Sequence, residues 1–163
     1  MSFAVHFLPA GTSTLPDDPG QGDQDQDPDE LAAEEVGLWD RVQPALLEVL
    51  PADEYVLDAT PFARQVAHRP SGLLVSWQHD DYQASLPFWS TNADSGAFDT
   101  LVRVTLSIEE TTGLVGLDEI TGGRFLDHHA ELASSFAAVA EGFEEAMEQQ
   151  TLLGRLRSMF HRG

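Results

Sequence analysis

Two alternating stretches around a short polar turn constrain the fold most. Every second residue of 73–77 is apolar, and apolar residues alternate in the same way over 82–88, after the turn His79-Asp80-Asp81. Because successive side chains of a strand point to opposite faces, this pattern is typical of a β-hairpin. Pro87 has no amide hydrogen to donate, which predicts that the second strand lies at a sheet edge or is bulged near its end.

The first helix is predicted from its entry signal. Asp27 is a suitable N-cap, Pro28 fits the first helical position, and Glu30 stands three residues after the cap, where a capping box places its acid. Apolar residues then recur at near-helical spacing as far as residue 50, which predicts a helix over this stretch. Pro44 lies inside it, so we expect a kink or a division into two helices.

Residues 95–113 fit two interpretations. Phe98, Leu101 and Ile108 lie on one helical stripe, and Gly113 suits the left-handed position that follows a helix. Val102, Val104, Leu106 and Ile108 also alternate, and β-branched residues favour strands. We predict a helix because Asp94-Ser95 offers a cap and the run is long.

The remaining segments predict the fold class. We expect strands at 3–8, 55–57 and 114–117 and a helix from Asp127 onward, while 60–70 is ambiguous because prolines interrupt it. The order is then strand, helix, strand pair, helix, strand and a C-terminal helix. This order predicts an α+β fold, a ferredoxin-like split β-α-β sandwich with two helices on one face of an antiparallel sheet.

Two regions differ from this body in composition. Residues 10–28 are rich in Gly, Pro, Gln and Asp, and we expect a mobile acidic loop within an α+β domain of residues 1–127. Residues 128–163 are expected to form an amphipathic C-terminal helix and a basic tail that packs on the domain or extends from it. In the tail, arginines alternate with apolar residues, among them Leu153, Leu156 and Phe160.

The charge balance limits the function classes. With 28 Asp and Glu against 8 Lys and Arg, the formal net charge is −20. Nucleic-acid binding is not expected, since contacts to phosphates need cations on the protein. The absence of Cys removes disulfides and thiol chemistry. No apolar run reaches the roughly 20 residues of a membrane span and the start does not read as a secretory signal, so we expect a cytoplasmic protein without an integral membrane segment.

Carboxylates of the acidic loop imitate a calcium site without completing it. Asp23, Asp25, Asp27 and Glu34 have the spacing of an EF-hand loop. Pro28 stands at the position where that loop needs glycine, and no helix precedes Asp23. A solvated acidic loop is the better interpretation, and we assign no metal ligand here.

Catalytic patterns are also weak. The histidines lack H-E-x-x-H or H-x-H spacing, Ser71 lies beside a strand without an adjacent base, and no phosphate-binding loop is present. We therefore expect no enzyme, and assign no catalytic or cofactor-binding residues. A small metal-dependent hydrolase that uses His79 or His128 with nearby carboxylates is the alternative from this class.

Three short motifs resemble a group of small acidic, uncharacterised bacterial proteins. They are Gly-Leu-Leu-Val-Ser-Trp at 72–77, Ala-Ser-Leu-Pro-Phe-Trp at 84–89 and Thr-Gly-Leu-Val-Gly-Leu-Asp at 112–118. The group carries G-[IL]-x-V-S, V-P-[YF]-W and T-G-[LY]-x-x-[YL]-D, and the resemblance covers about residues 71–127. It implies a helix before Gly113, and small acidic proteins of this kind often serve as immunity partners of toxins. Here Glu119-Ile120 follow Asp118, where the group usually has Pro-Gln.

The preferred hypothesis is a non-enzymatic acidic binding protein, of the immunity or inhibitor type, that occludes a basic protein partner. Its negative field would raise the encounter rate with a cationic protein. Trp89 lies on the opposite phase of the hairpin from the core residues and is the candidate apolar anchor. The acids assigned to partner contacts, beside those of 17–35, are Asp80, Asp81, Asp118 and Glu119.

The tail supports a second hypothesis. A secretion or assembly chaperone would hold an apolar segment of a client through the C-terminal helix or through a sheet edge. Leu153, Leu156 and Phe160 are the candidate contacts in that helix. The tail could also dock on the acidic body of its own chain or of a neighbouring copy, which would allow a homodimer.

Overall fold

The computed structural model describes residues 2–12, 15, 29–51, 54–88 and 96–160, with side chains of the last helix described as far as Gly142. In chain order the elements are β1 (Ser2–Leu8), α1 (Ala33–Val49), β2 (Tyr55–Ala59), β3 (Ala63–His68), β4 (Leu74–Gln78), β5 (Asp81–Pro87), α2 (Ala97–Thr112), β6 (Val115–Asp118) and α3 (Phe125–Phe160). Within these ranges no helix has both the length and the hydropathy needed to cross a bilayer.

The strands form one antiparallel sheet in the order β2-β3-β4-β5-β1-β6. With three helices beside the sheet, the predicted α+β class is confirmed. β3 occupies the stretch that the sequence left ambiguous. Because β1 runs antiparallel to both β5 and β6, it lies between two parallel strands that α2 connects. The complete ferredoxin-like topology stays a prediction.

The hairpin is confirmed, with a shorter turn than expected. Trp77 pairs with Tyr82 and Gln78 pairs with Asp81, so that His79 and Asp80 alone form the turn. Asp80 has φ 54°, in the left-handed region that Asp tolerates better than most residues. Both alternatives predicted for β5 are wrong, because β5 lies between β4 and β1 and its register with β1 continues without a bulge as far as the pair of Ser2 with Pro87. Pro87 is accepted there as the last residue of the strand.

The helix predicted over 95–113 is confirmed as α2. The exposure of Leu106, at 44%, decides between the two patterns, because a half-buried strand would place it on the same face as Val104 and Ile108, which are both fully buried. Gly113 ends the helix with φ 75°, and its N–H donates to Glu109 O at 2.8 Å. Glycine adopts this conformation without steric cost.

The predicted start of α1 is wrong. Ala32 is the N-cap, and Glu30 lies before the helix, while Asp27 and Pro28 lie outside the described residues. Glu35 at the third helical position accepts a hydrogen bond from the N–H of Ala32 at 2.7 Å, which is one half of a capping box. The helix continues through Pro44 to Val49 rather than dividing.

The core lies between one face of the sheet and the helices. Trp39 of α1 contacts Trp77 of β4, with ring centroids 6.0 Å apart, and Thr105 of α2 packs beside Gly116 of β6. Both strands present these residues on the same face, so α1 and α2 cover one side of the sheet. The opposite side carries mostly small and polar residues.

The last helix belongs to this core in its first half. α3 begins at Phe125, so the predicted domain boundary after residue 127 falls inside its first turn. Phe125 packs against Phe3 and Phe98 with centroids 5.8 and 5.7 Å apart, and Phe136 stacks on Phe88 at 5.1 Å. Helix continues through Gly154 as far as Phe160.

Candidate functional site

Two turns and the start of α1 meet at one end of the sheet. Ala63, the first residue of β3, pairs with Gln78, which places the β2–β3 turn beside the β4–β5 turn. Leu31, just before α1, donates its N–H to the carbonyl of Pro61 in the β2–β3 turn at 3.0 Å. Segments that are distant in the sequence are therefore held together here.

A cavity of about 400 Å³ opens at this end. Leu8, Leu38 and Leu114 contribute apolar surface from β1, α1 and the segment before β6. Glu34 and Asp80 contribute carboxylates from α1 and the hairpin turn. A cavity with apolar walls and a few converging polar groups is the usual form of a binding site.

Glu35 is the centre of the polar network in this cavity. Its side chain is buried, at 6% exposure, and its carboxylate accepts hydrogen bonds from four groups. Oε1 accepts the Tyr82 hydroxyl at 2.7 Å and the Asp80 N–H at 3.0 Å. Oε2 accepts the Ala32 N–H at 2.7 Å and His79 Nδ1–H at 2.9 Å. The carboxylate thus ties the start of α1 to the tip of the hairpin.

This network shifts the pKa values of its members. Burial alone would raise the pKa of Glu35, but the hydrogen bonds from Asp80, His79, Ala32 and Tyr82 outweigh it and lower the pKa to about 2. The hydrogen bond to Glu35, and then its negative charge, raise the pKa of His79 above its ordinary value. Burial, and then the bond to Glu35, raise the pKa of the Tyr82 hydroxyl well above its usual range. Glu35 is therefore ionised at neutral pH.

These shifts predict the pH dependence of stability. The raised pKa of His79 adds stability that is complete below its unfolded value of 6.5 and is lost as the pH rises through the folded value. The lowered pKa of Glu35 adds stability that is complete above about pH 4.5 and is lost as the pH falls toward 2. The joint contribution is therefore largest between these limits, which urea unfolding from acid to alkaline pH would measure.

A histidine variant isolates the alkaline side of this dependence. His79→Gln should flatten the loss of stability above pH 6.5, because the group that titrates there has been removed. His128→Gln is the matched control, since His128 is exposed on α3. An unchanged pH profile in His79→Gln would contradict the assignment.

Glu35, His79 and Asp80 also bring possible metal ligands within 4.8 Å of one another. Both Glu35 oxygens already accept two hydrogen bonds each, and Nδ1 of His79 faces Glu35. His79 Nε2 and the Asp80 carboxylate, 3.4 Å apart, would be left to bind a metal ion. A structural zinc site needs four ligands, so the arrangement is better suited to fixing an imidazole than to holding a metal.

The predicted partner contacts fall in different places. Asp80 lines the cavity, whereas Asp81 lies 3.8 Å from His6 Nδ1. Glu119 is exposed, and its Oε1 accepts the Ala4 N–H at 2.9 Å. Trp89 lies outside the described residues, as do the side chains in the tail that were assigned to partner contacts, Leu153, Leu156 and Phe160.

Asp118 requires a correction. It is fully buried, which is at odds with the predicted direct contact to a partner. Its Oδ1 accepts the N–H groups of Ile120 and Thr121 at 3.1 and 2.7 Å, and Oδ2 accepts the Thr121 hydroxyl at 2.6 Å. Asp118 therefore fixes the turn after β6.

A second polar cluster corrects the interpretation of Ser71. Its Oγ lies 2.8 Å from His68 Nδ1, so a base is adjacent in space, and His68 Nε2 lies 3.4 Å from Glu54 Oε2. Ser71 is buried, at 4% exposure, and its Oγ also accepts the Leu73 N–H at 3.2 Å. Because a substrate would have to reach a buried hydroxyl, the cluster is better explained as support for the β3–β4 turn.

Glu35 was the residue that the sequence interpretation missed. In the sequence Glu35 is one of many acids in the 17–35 stretch, and the hairpin offers only its aspartates as candidate contacts. One local signal was present. Glu35 lies three residues after Ala32, so a predicted helix start at Ala33 would have identified Glu35 as the capping acid. Nothing local indicated its contacts to the hairpin.

No protein-family model, no curated protein and no solved structure matches this chain.

Proposed function

We propose that this chain is a non-enzymatic acidic binding protein, of the immunity or inhibitor type, that occludes a basic protein partner. The observation that carries the proposal is the cavity at the hairpin end of the sheet, which combines apolar walls with carboxylates of Glu34 and Asp80. The resemblance of the motifs at 72–118 to small acidic bacterial proteins supports the same class.

The charges at this end of the sheet favour a cationic partner. Asp29, Glu30, Glu34 and Asp80 are all exposed around the cavity or just before α1. Asp29 and Asp80 act on His79 electrostatically. A cluster of one sign on a chain of net charge −20 raises the association rate of a basic protein and disfavours acidic ones.

The cavity fits an arginine or lysine side chain of such a partner. The aliphatic part of the side chain would lie against Leu38 and Leu114, and its charged end would meet Glu34 and Asp80. Because Glu35 already holds four donors, it would keep the site rigid rather than bind the partner directly.

A differential capture experiment tests this proposal. The double variant Glu34→Gln/Asp80→Asn removes two charges at the cavity and keeps a residue that tolerates the left-handed turn at position 80. Basic proteins retained from a lysate of the source organism by the wild-type chain should bind the variant about tenfold more weakly, since each lost charge contact costs affinity. Quantitative mass spectrometry of the retained proteins and binding assays of the purified partner would measure this.

The matched control is Asp40→Asn/Glu48→Gln. It removes the same charge from exposed positions on α1 that do not line the cavity. The control should retain the basic proteins like the wild-type chain. Equal retention by both double variants, or retention of no basic protein by the wild-type chain, would overturn the proposal.

The hydrolase alternative is favoured by one observation. His79 and Glu35 are within hydrogen-bond reach, at 2.9 Å, beside a cavity. The raised pKa of His79 suits a proton donor near neutral pH rather than a base. Hydrolysis of chromogenic esters and phosphate esters that His79→Gln abolishes would support it, and equal rates for both proteins would exclude this site.

A separate deletion experiment tests the chaperone alternative. Deleting residues 151–163 should abolish salt-insensitive binding of a client if the tail holds it, and should leave binding to the cavity unchanged.

For the fold, we propose a ferredoxin-like sandwich that β2 and β3 extend at one edge. The order β4-β5-β1-β6 and the two helices on one face support this.

A further inference from the structure

The two edges of the sheet differ in how they are protected. At one edge, β6 is only four residues long. Arg124 forms an isolated antiparallel β-bridge with Leu117, so the segment that follows β6 covers part of this edge. At the other edge, every residue of β2 after Tyr55 is exposed. An open edge strand offers its backbone to another strand unless charges, bulges or a covering segment prevent it.

Backbone hydrogen bonds at both ends of β2 show which groups face outward. Arg69 N–H donates to Glu54 O at 2.7 Å, and Thr60 N–H donates to Ala63 O at 2.8 Å. In an antiparallel pair the bonded residues alternate, so even-numbered positions of β2 bond to β3 and odd-numbered positions face away from the sheet. Leu57 is the central odd position.

The outward groups of Leu57 are available. Asp58 Oδ1 accepts the N–H of Ala59 at 3.0 Å, which protects one end of the edge. In the part of the chain that the structure describes, no group is hydrogen-bonded to the outward N–H and C=O of Leu57. Leu57 is therefore the natural centre for a pair of hydrogen bonds with an added strand.

Side chains at the same edge add apolar surface. Val56 and Leu57 are each 43% exposed, and Phe62 in the following turn is 38% exposed. Leu57 pairs with Val66 on the helix-covered face, and Val56 pairs with Ala67 on the other face. An added strand would thus bury apolar surface on both faces of the sheet.

We propose that the edge of β2 binds an extended, cationic segment of a partner protein as a seventh strand of the sheet. The choice of a basic partner rests on the proposed function, and the edge itself supports it. Asp58 lies on the face opposite the helices, where its carboxylate would stand across from a side chain of the added strand. A lysine or arginine at that position gives a favourable cross-strand pair.

A second copy of the chain fits this edge less well. Antiparallel pairing of two β2 strands around Leu57 would place the two Asp58 carboxylates diagonally across the new junction, on the same face. It would also bring together two bodies that each carry a net charge of −20. A cationic strand relieves both repulsions.

Strand geometry defines the sequence of the segment. The residue opposite Leu57 would be apolar, because it faces the helix-covered side. Its two neighbours, opposite Asp58 and Val56, lie on the face of Asp58 and would be lysine or arginine, one directly across from the Asp58 carboxylate and the other diagonal to it. Alternating cationic and apolar residues are therefore expected.

The test uses a synthetic peptide, acetyl-Thr-Lys-Ile-Arg-Val-Lys-Thr-amide, and the full chain. Binding should slow hydrogen exchange of the Leu57 amide, because that N–H becomes bonded to the peptide. A peptide methylated on the amide nitrogens of its Ile and Val, which would donate to β2, keeps the charge and loses the donors, so it should bind at least about tenfold more weakly. A peptide with glutamates in place of the cations should not bind.

Protein variants separate this proposal from the cavity. Asp58→Asn should weaken the peptide about threefold or more by removing the cross-strand charge pair, while Asp40→Asn makes the same change on exposed α1 and should have no effect. Glu34→Gln/Asp80→Asn should also leave the peptide affinity unchanged, because those acids line the cavity. The chain can therefore fail to bind the peptide while the cavity still captures a basic partner, and it can bind the peptide while the cavity captures none.

Three results would overturn the proposal. One is an unchanged exchange rate of the Leu57 amide with the peptide in excess, and another is equal binding of the methylated peptide. The third is concentration-dependent self-association of the chain that itself protects the Leu57 amide, because a second copy would then be the occupant.

Discussion

Replacing Glu35 by glutamine is expected to lower the free energy of unfolding by about 3 kcal/mol, because it removes the charge at the centre of a buried hydrogen-bonded network and leaves a backbone N–H unpaired. A glutamine amide can accept hydrogen bonds at one atom only. Its NH₂ group would face either the Ala32 N–H and His79 or the Tyr82 hydroxyl and the Asp80 N–H. In either orientation one backbone N–H, of Ala32 or of Asp80, would lose its acceptor, and His79 or Tyr82 would have to accept a hydrogen bond instead of donating one.

Urea unfolding followed by tryptophan fluorescence would measure this loss, since Trp39 and Trp77 are buried in the core. Glu34→Gln is the matched control at the next position, where the side chain is exposed and a change within about 0.5 kcal/mol is expected. A similar small effect for Glu35→Gln would show that the network contributes little to stability.

Gly116→Ala is expected to cost about 2 kcal/mol, since overpacking a core typically costs 1–3 kcal/mol. A Cβ at this position would lie 2.9 Å from Val5 Cγ1 and 3.0 Å from Thr105 Cγ2. Both neighbours are fully buried and β-branched, so they cannot rotate away freely. β6 would have to move away from α2, which would also strain the bond from the Gly116 N–H to Glu109 Oε1 at 2.9 Å.

Replacing a second glycine by alanine is expected to have the opposite effect on stability. Gly37 lies inside α1, and a Cβ there would meet nothing within 4 Å. Gly37→Ala should therefore raise the free energy of unfolding by about 0.5–1 kcal/mol through its better helix propensity. Thermal and urea unfolding of both variants would test the pair, and a tolerated alanine at position 116 would contradict the close packing of β6 on α2.

Local signals predicted those elements that depend on neighbours in the sequence. The hairpin follows from alternation on both sides of a polar turn, and α2 follows from a helical stripe that ends at Gly113. In both cases the same residues determine the conformation and the packing. The predicted start of α1 was wrong because Glu35 is the capping acid. Its carboxylate also accepts hydrogen bonds from the hairpin, 44 or more positions away in the sequence.

The strand order and the candidate site depend on contacts of the same long-range kind. The sequence did not indicate that α1 leads to the edge strand β2, or that β1 lies between β5 and β6. Asp80 was predicted as a contact residue from its charge, and it does line the cavity. Asp118 was predicted on the same basis, yet it is buried at the end of β6, where it accepts hydrogen bonds from the following turn. Composition does not distinguish such an acid from an exposed one.

The position of His79 beside Asp80 links occupancy of the cavity to the pH of the solution. An incoming guanidinium or ammonium group and the proton on His79 are both attracted by the Asp80 carboxylate. Two cations that compete for the same negative charges weaken each other by equal factors. Binding of a cationic side chain in the cavity would therefore release a proton from His79. The affinity for a basic partner would then increase as the pH rises.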